Sequence, residues 1–190
     1  MFNLSIRNTT VIAIVLAVVM MATRDHHAAA VTHLPDASWA IFFMLGFYFR
    51  NRMLLPLFMG LAALIDYVSI THFGINDYCV TVAYVFLLPS YSALWLAGRW
   101  YAAHHRLQIS SLPLLAVGAT AGAAACEVIS SASFYFLGGR FADTTLSEFV
   151  SRLVQYFPTS LAGIALYLGL AALVHVLISG VQHSKTVPIK

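Results

Sequence analysis

A chain of 190 residues that is 61% hydrophobic and 9% charged, with a mean hydropathy of +0.84, is far from a soluble domain, which is about a quarter charged. Ten Lys and Arg with seven Asp and Glu cannot coat a water-facing surface, which argues against a soluble enzyme, a disordered regulator or a basic nucleic-acid binder. The composition predicts an all-α integral membrane protein in the lipid bilayer, a single transmembrane domain over residues 1–190, since about 20 residues per crossing allow roughly five to seven spans.

Charges punctuate the sequence, and the uncharged intervals predict six helices. The first lies between Arg7 and Arg24. Its apolar run, with Ala28-Ala29-Ala30 after it, mimics a signal peptide and is read as a retained first span. The second lies between Asp36 and Arg50, and the third starts after Arg52 and ends at Asp66. Residues 78–98 form a clean fourth span in which Pro89 predicts a kink. The fifth region, 107–139, is interrupted only by Glu127. The sixth, 153–184, contains Pro158 and starts as an outer loop or a tilted helix. Small residues are dense in the first span, where Ala13 and Ala17 have four-residue spacing, and in the fifth, from Gly118 to Ala125; such faces let helices approach closely.

Six spans place both termini on one side. Taken as cytoplasmic, that side holds Arg7, Arg50, Arg52, Arg99, Arg106, Lys185 and Lys190, against Arg24, Arg140 and Arg152 outside, as the positive-inside rule requires. Every acid falls outside or in the fifth span. The polar chemistry is therefore expected on the outer face.

Candidate functional residues follow from that placement. Asp66 closes an apolar run, and an acid at membrane depth is costly unless paired or near water. Asn76 and Asp77 are good N-cap types, which would put Cys79 in a first helical turn where the helix dipole favours a thiolate, a nucleophile and soft metal ligand; a buried apolar thiol is the plainer alternative. His26 and His27 are adjacent and so point about 100° apart on a helix, which leaves one of them for a cavity. Tyr78, Tyr84, Tyr91, Tyr135 and Tyr156 offer rings and hydroxyls, and Arg152 a cation. Glu127 is deep and calls for a buried Arg or His partner or a proton. Cys126, in mid-membrane, is read as packing. His104 and His105 look like a headgroup-facing collar, His175 like a hydrogen-bonded core histidine, and Trp39, Trp95, Trp100 and Tyr101 like interfacial belts. The sequence contains no Gly-rich phosphate loop, HExxH or CxxC motif.

Six spans, Ala13 and Ala17 in a short first helix, and a cysteine at the outer side beside Asn76-Asp77-Tyr78 together resemble the BtuM-like S-components of energy-coupling-factor (ECF) transporters, which take up cobalamin (vitamin B12) across the bacterial cytoplasmic (inner) membrane. The likeness covers essentially the whole chain. It implies that His27, Asp66, Cys79, Tyr84 and Arg152 line the substrate cavity, with Cys79 facing the cobalt of the corrin and His27 as a second axial candidate. S-components normally work with a transmembrane coupling protein and two ATPases, whereas BtuM-like members look solitary. Thiolate ligation of cobalt further implies removal of the upper axial cyanide of cyanocobalamin through Cys79. Two other readings stay open: an S-component for another small vitamin, and a membrane redox protein holding haem through His27, His33, His72 or His175.

Overall fold

The computed structural model describes residues 6–24, 34–78, 80–106 and 108–186, with side chains except at 109 and 177–186. Among the described residues, six α-helices follow in order: α1 (Ile6–Arg24), α2 (Ser38–Tyr48), α3 (Leu54–Phe73), α4 (Leu87–His104), α5 (Leu112–Leu137) and α6 (Leu146–Thr186), with short 3-10 turns at Val82–Phe86 and Ile109–Ser111. No strand occurs among the described residues. Of the described helices, four are long and apolar enough to cross a membrane: Ile6–Arg24, Leu54–Phe73, Leu112–Leu137 and Leu146–Val176. The protein is thus an all-helical bundle of membrane-spanning character.

The second expected span is the main departure. At 11 residues and 1.5 Å per residue, α2 is about 16 Å long, roughly half the hydrocarbon thickness. Ala40, Ile41, Phe42, Phe43 and Leu45 are almost fully buried on all its sides. A helix apolar all round is a core helix here, wrapped by the others. Its seat depends on glycine. A Cβ at Gly46 would strike the carbonyl oxygen of Trp95, and one at Gly98 the carbonyl oxygen of Phe43, so α2 and α4 touch backbone to backbone. On the other face of α4, a Cβ at Gly122 of α5 would come within 2.7 Å of the Ala97 Cβ. Gly118, Ala119, Gly122 and Ala123 are buried, so the small-residue stripe of α5 serves this packing. Ala13 and Ala17 of α1 are half-buried against the core.

Other boundaries also differ. Helix α3 runs past Asp66 to Phe73, ending where Gly74 adopts φ 66°, a left-handed conformation that glycine adopts at little cost. The fourth helix does not begin near Asn76. Asn76 instead accepts a bond from the Tyr78 amide at 2.8 Å in a local turn, and Thr81 caps the 3-10 turn by accepting from the Ala83 amide at 3.2 Å. Helix α4 then starts at Leu87. Pro89 therefore sits in the first turn of α4, where its missing N–H interrupts no bond within that helix. Pro158 lies inside α6, which begins seven residues before the expected 153 and contains Arg152. Trp95 and Tyr101 are buried in the core rather than belted at an interface.

Candidate functional site

Arg24 ends α1 with its side chain only 9% exposed. Its guanidinium meets the Asp66 carboxylate through two parallel bonds, Nε to Oδ1 and Nη2 to Oδ2, each 2.7 Å. The remaining arm, Nη1, donates to Tyr91 Oη at 2.8 Å and to Ser38 Oγ at 3.0 Å, with an Asp36 oxygen 3.7 Å away. Tyr84 donates its hydroxyl to Asp66 Oδ2 at 2.7 Å. Asp36 accepts from both the Ser38 amide, at 2.9 Å, and its hydroxyl, at 2.6 Å. Five segments are thereby tied at one point: the end of α1, the start of α2, α3, the turn before α4 and, through Tyr91, α4 itself. Such a fork-to-fork pair is the strongest polar contact available at this depth, and it explains why α3 tolerates an acid in its interior.

These groups form one side of a cavity of about 560 Å³ lined by Arg24, Asp66, Tyr84 and Tyr91 and, from α5, by Ser130, Ser131 and Ser133. Each serine hydroxyl already donates its hydrogen bond: Ser130 to the Cys126 carbonyl, Ser133 to the Ser130 carbonyl, and Ser131 to Glu127 Oε1, each at 2.8 Å. Their free lone pairs make this wall an acceptor surface, suited to amide N–H groups. The Arg24 cluster opposite supplies phenol and guanidinium. Glu127 is buried and held by Ser131; no salt bridge pairs it with a basic side chain among the described residues.

Of the residues expected from sequence, the structure brings Asp66 and Tyr84 together in direct contact, and adds Tyr91. It does not bring Arg152 to them. Arg152 forms a one-turn pair with Glu148, at 2.8 and 3.0 Å to Oε1, and lies over the rings of Phe141, at 4.6 Å, and Tyr135, at 5.6 Å. Tyr135 donates to Glu148 in the same cluster, Tyr78 carries Arg140 on its ring, and Tyr156 is exposed. Cys79 and His27 lie outside the described residues, as do His26 and His33. The neighbours of position 79, Tyr78 and Val80, are not helical and the following α-helix starts at Leu87; the expected activation of Cys79 itself falls outside the described residues. Asn76 and Val80, on either side of it in sequence, both line the cavity. Cys126 is a buried free thiol.

No family model and no curated protein matches this chain.

Among the described residues, no group of three or more His, Cys, Asp or Glu side chains could hold a metal ion. His72 lies at the end of α3 near the cavity, bonded to Thr71, while His175 lies toward the opposite end of the bundle near Tyr48. These two cannot face each other across a haem.

Outside the expected cavity set lie Arg24, Ser38, Asp36 and the three serines of α5. Arg24 and Asp66 did carry a signal: opposite charges closing two apolar runs on the same expected side of the membrane.

Proposed function

We propose that this chain is a vitamin-uptake protein of the S-component kind that binds cobalamin in the cavity beside Arg24 and Asp66. In this reading six helices are embedded in the bacterial inner membrane, with both termini cytoplasmic and the cavity facing outward, α2 being a short core helix. The observation that carries it is the cavity at the acidic end of the bundle, with a bonded Arg24–Asp66–Tyr84 cluster on one side, an acceptor wall of serines on the other, and Asn76 and Val80, which precede and follow position 79 in sequence, in its lining. Cobalamin is rich in amides, which the serines can accept. Its cobalt comes within reach of Cys79 if the corrin lies across the mouth.

The chemistry at Cys79 is ligand exchange on the substrate. The thiolate sulfur forms a bond to cobalt(III), the cobalt–carbon bond to the upper cyanide breaks, and cyanide leaves with the bonding pair. Cobalt keeps its oxidation state, and the thiol proton passes to the departing anion, with His27 as the nearby carrier. Because the flanking backbone is not a helix start, thiolate formation rests on the metal itself, which favours a soft anionic ligand. An ECF coupling protein with its ATPases, or no partner if the chain is solitary, completes transport.

A second reading is favoured by the cavity volume. About 560 Å³ is in the ordinary range for small-molecule sites, roughly 300–1,000 Å³, and suits a vitamin smaller than cobalamin, in which case Cys79 is incidental. Growth of a host lacking its own cobalamin importer decides between the two. Rescue by this chain supports cobalamin; rescue only with a co-expressed coupling module keeps the substrate and removes the solitary mode; no rescue in either arrangement contradicts the first reading.

A further inference from the structure

At the end of the bundle opposite the Arg24 cluster, a second cavity of about 420 Å³ opens between the end of α2, the end of α4, the start of α5 and α6. Its walls are aromatic and aliphatic, with Phe47 on one side and Leu115, Leu168 and Ala172 on the others. Polar groups gather at its rim, in the turn between α4 and α5: His105, Arg106 and Gln108. His105 is bonded to the Tyr101 hydroxyl at 2.8 Å, and burial, followed by the proximity of His175, holds its pKa below the ordinary imidazole range. Arg106, exposed to solvent, is therefore the standing positive charge at this rim.

The surroundings name the occupant. Arg50, Arg52, Arg99 and Arg106 lie at this end, and no acid does among the described residues. The flanking helices expose Leu112 at the start of α5 and Leu170, Leu173 and Val176 on α6, which is a lipid-facing surface. A slot of aromatic and aliphatic side chains beside this exposed apolar surface, with a fixed cation at its rim, is complementary to an acyl chain with an anionic head. We propose that this cavity holds an acyl chain of an anionic phospholipid whose phosphate pairs with Arg106. A tail moving from the bilayer into the slot exchanges one apolar surrounding for another, so the head charge decides which lipid stays. The inference is independent of what the outer cavity binds.

The test is the lipid retained by full-length protein extracted in a mild detergent from membranes of known phosphatidylethanolamine and phosphatidylglycerol content, read by native mass spectrometry. The expected result is phosphatidylglycerol enriched over its membrane share. Arg106→Gln should lower that enrichment about fivefold, the effect of one basic residue near a charged surface. Ala172→Trp, which fills the slot, should remove bound lipid of either head; Ala171→Leu serves the same purpose if the larger change prevents folding. Retained lipid that mirrors the membrane composition, enrichment unchanged by Arg106→Gln, retention unchanged in the filled slot, or a bound molecule that is not a lipid would each overturn the proposal.

Discussion

Arg24 and Asp66, 42 residues apart in the chain, are joined by two parallel 2.7 Å bonds that close the C-terminal end of α1 onto α3. Removing one partner leaves the other charge largely buried with only its remaining partners, Tyr84 for Asp66 or Tyr91, Ser38 and Asp36 for Arg24, which costs up to about 3–5 kcal/mol. Arg24→Ala and Asp66→Ala should each lower the melting temperature markedly in detergent. The double variant Arg24→Met with Asp66→Leu should recover much of the loss, because an apolar pair of similar volume avoids desolvating two ions. Equal melting temperatures for the single and double variants would refute the pairing.

Tyr84→Phe tests a narrower point. The phenol gives a charge-assisted bond to Asp66 Oδ2, worth about 1.5–3 kcal/mol, while the Arg24 fork stays intact. The melting temperature should therefore fall, by less than in Asp66→Ala, and under the proposed reading cobalamin affinity should fall as well, because Tyr84 lines the cavity. Stability lost with affinity unchanged would make Tyr84 a structural residue alone.

Glycine positions separate close packing from open space. Gly46→Ala and Gly98→Ala would each drive a methyl group into a backbone carbonyl, so both should destabilise strongly, by several kcal/mol. Gly60→Ala in α3 meets nothing within 4 Å and should be neutral or mildly stabilising, by up to about 1 kcal/mol from helix propensity. Thermal unfolding of the three variants side by side checks this.

Pro89→Ala should change little. With Pro89 in the first turn of α4, its missing N–H breaks no helical bond. A large loss of stability or of binding would show that the junction between the 3-10 turn and α4 depends on the proline.

Asp66 was legible because a charge at the end of an apolar run has to be explained at membrane depth. Arg24 closed the neighbouring run but read as an ordinary outer-loop charge, since nothing in a single sequence says which of two helix ends meet. The burial of α2 was hidden for a similar reason: lipid and protein core demand the same apolar composition, so hydropathy cannot distinguish a span from a helix wrapped by others. Arg152 could have been placed. Glu148 precedes it by four residues, the spacing of a one-turn ion pair, but the uncharged interval of the last helix begins after both charges. The late start of α4 escaped notice because residues 80–86 are apolar, although their backbone turns on the Asn76 and Thr81 side chains.

The most direct test of cobalamin binding with Cys79 on the cobalt is the visible spectrum of purified wild type and Cys79→Ala after incubation with cyanocobalamin and removal of free ligand. Both proteins should retain corrin bands. The wild type should have lost the cyanide-bound pattern, and Cys79→Ala should keep it. An identical cyanide-bound spectrum in both would remove Cys79 from the chemistry, an endogenous Soret band would point to haem instead, and a colourless wild type would contradict cobalamin as the substrate.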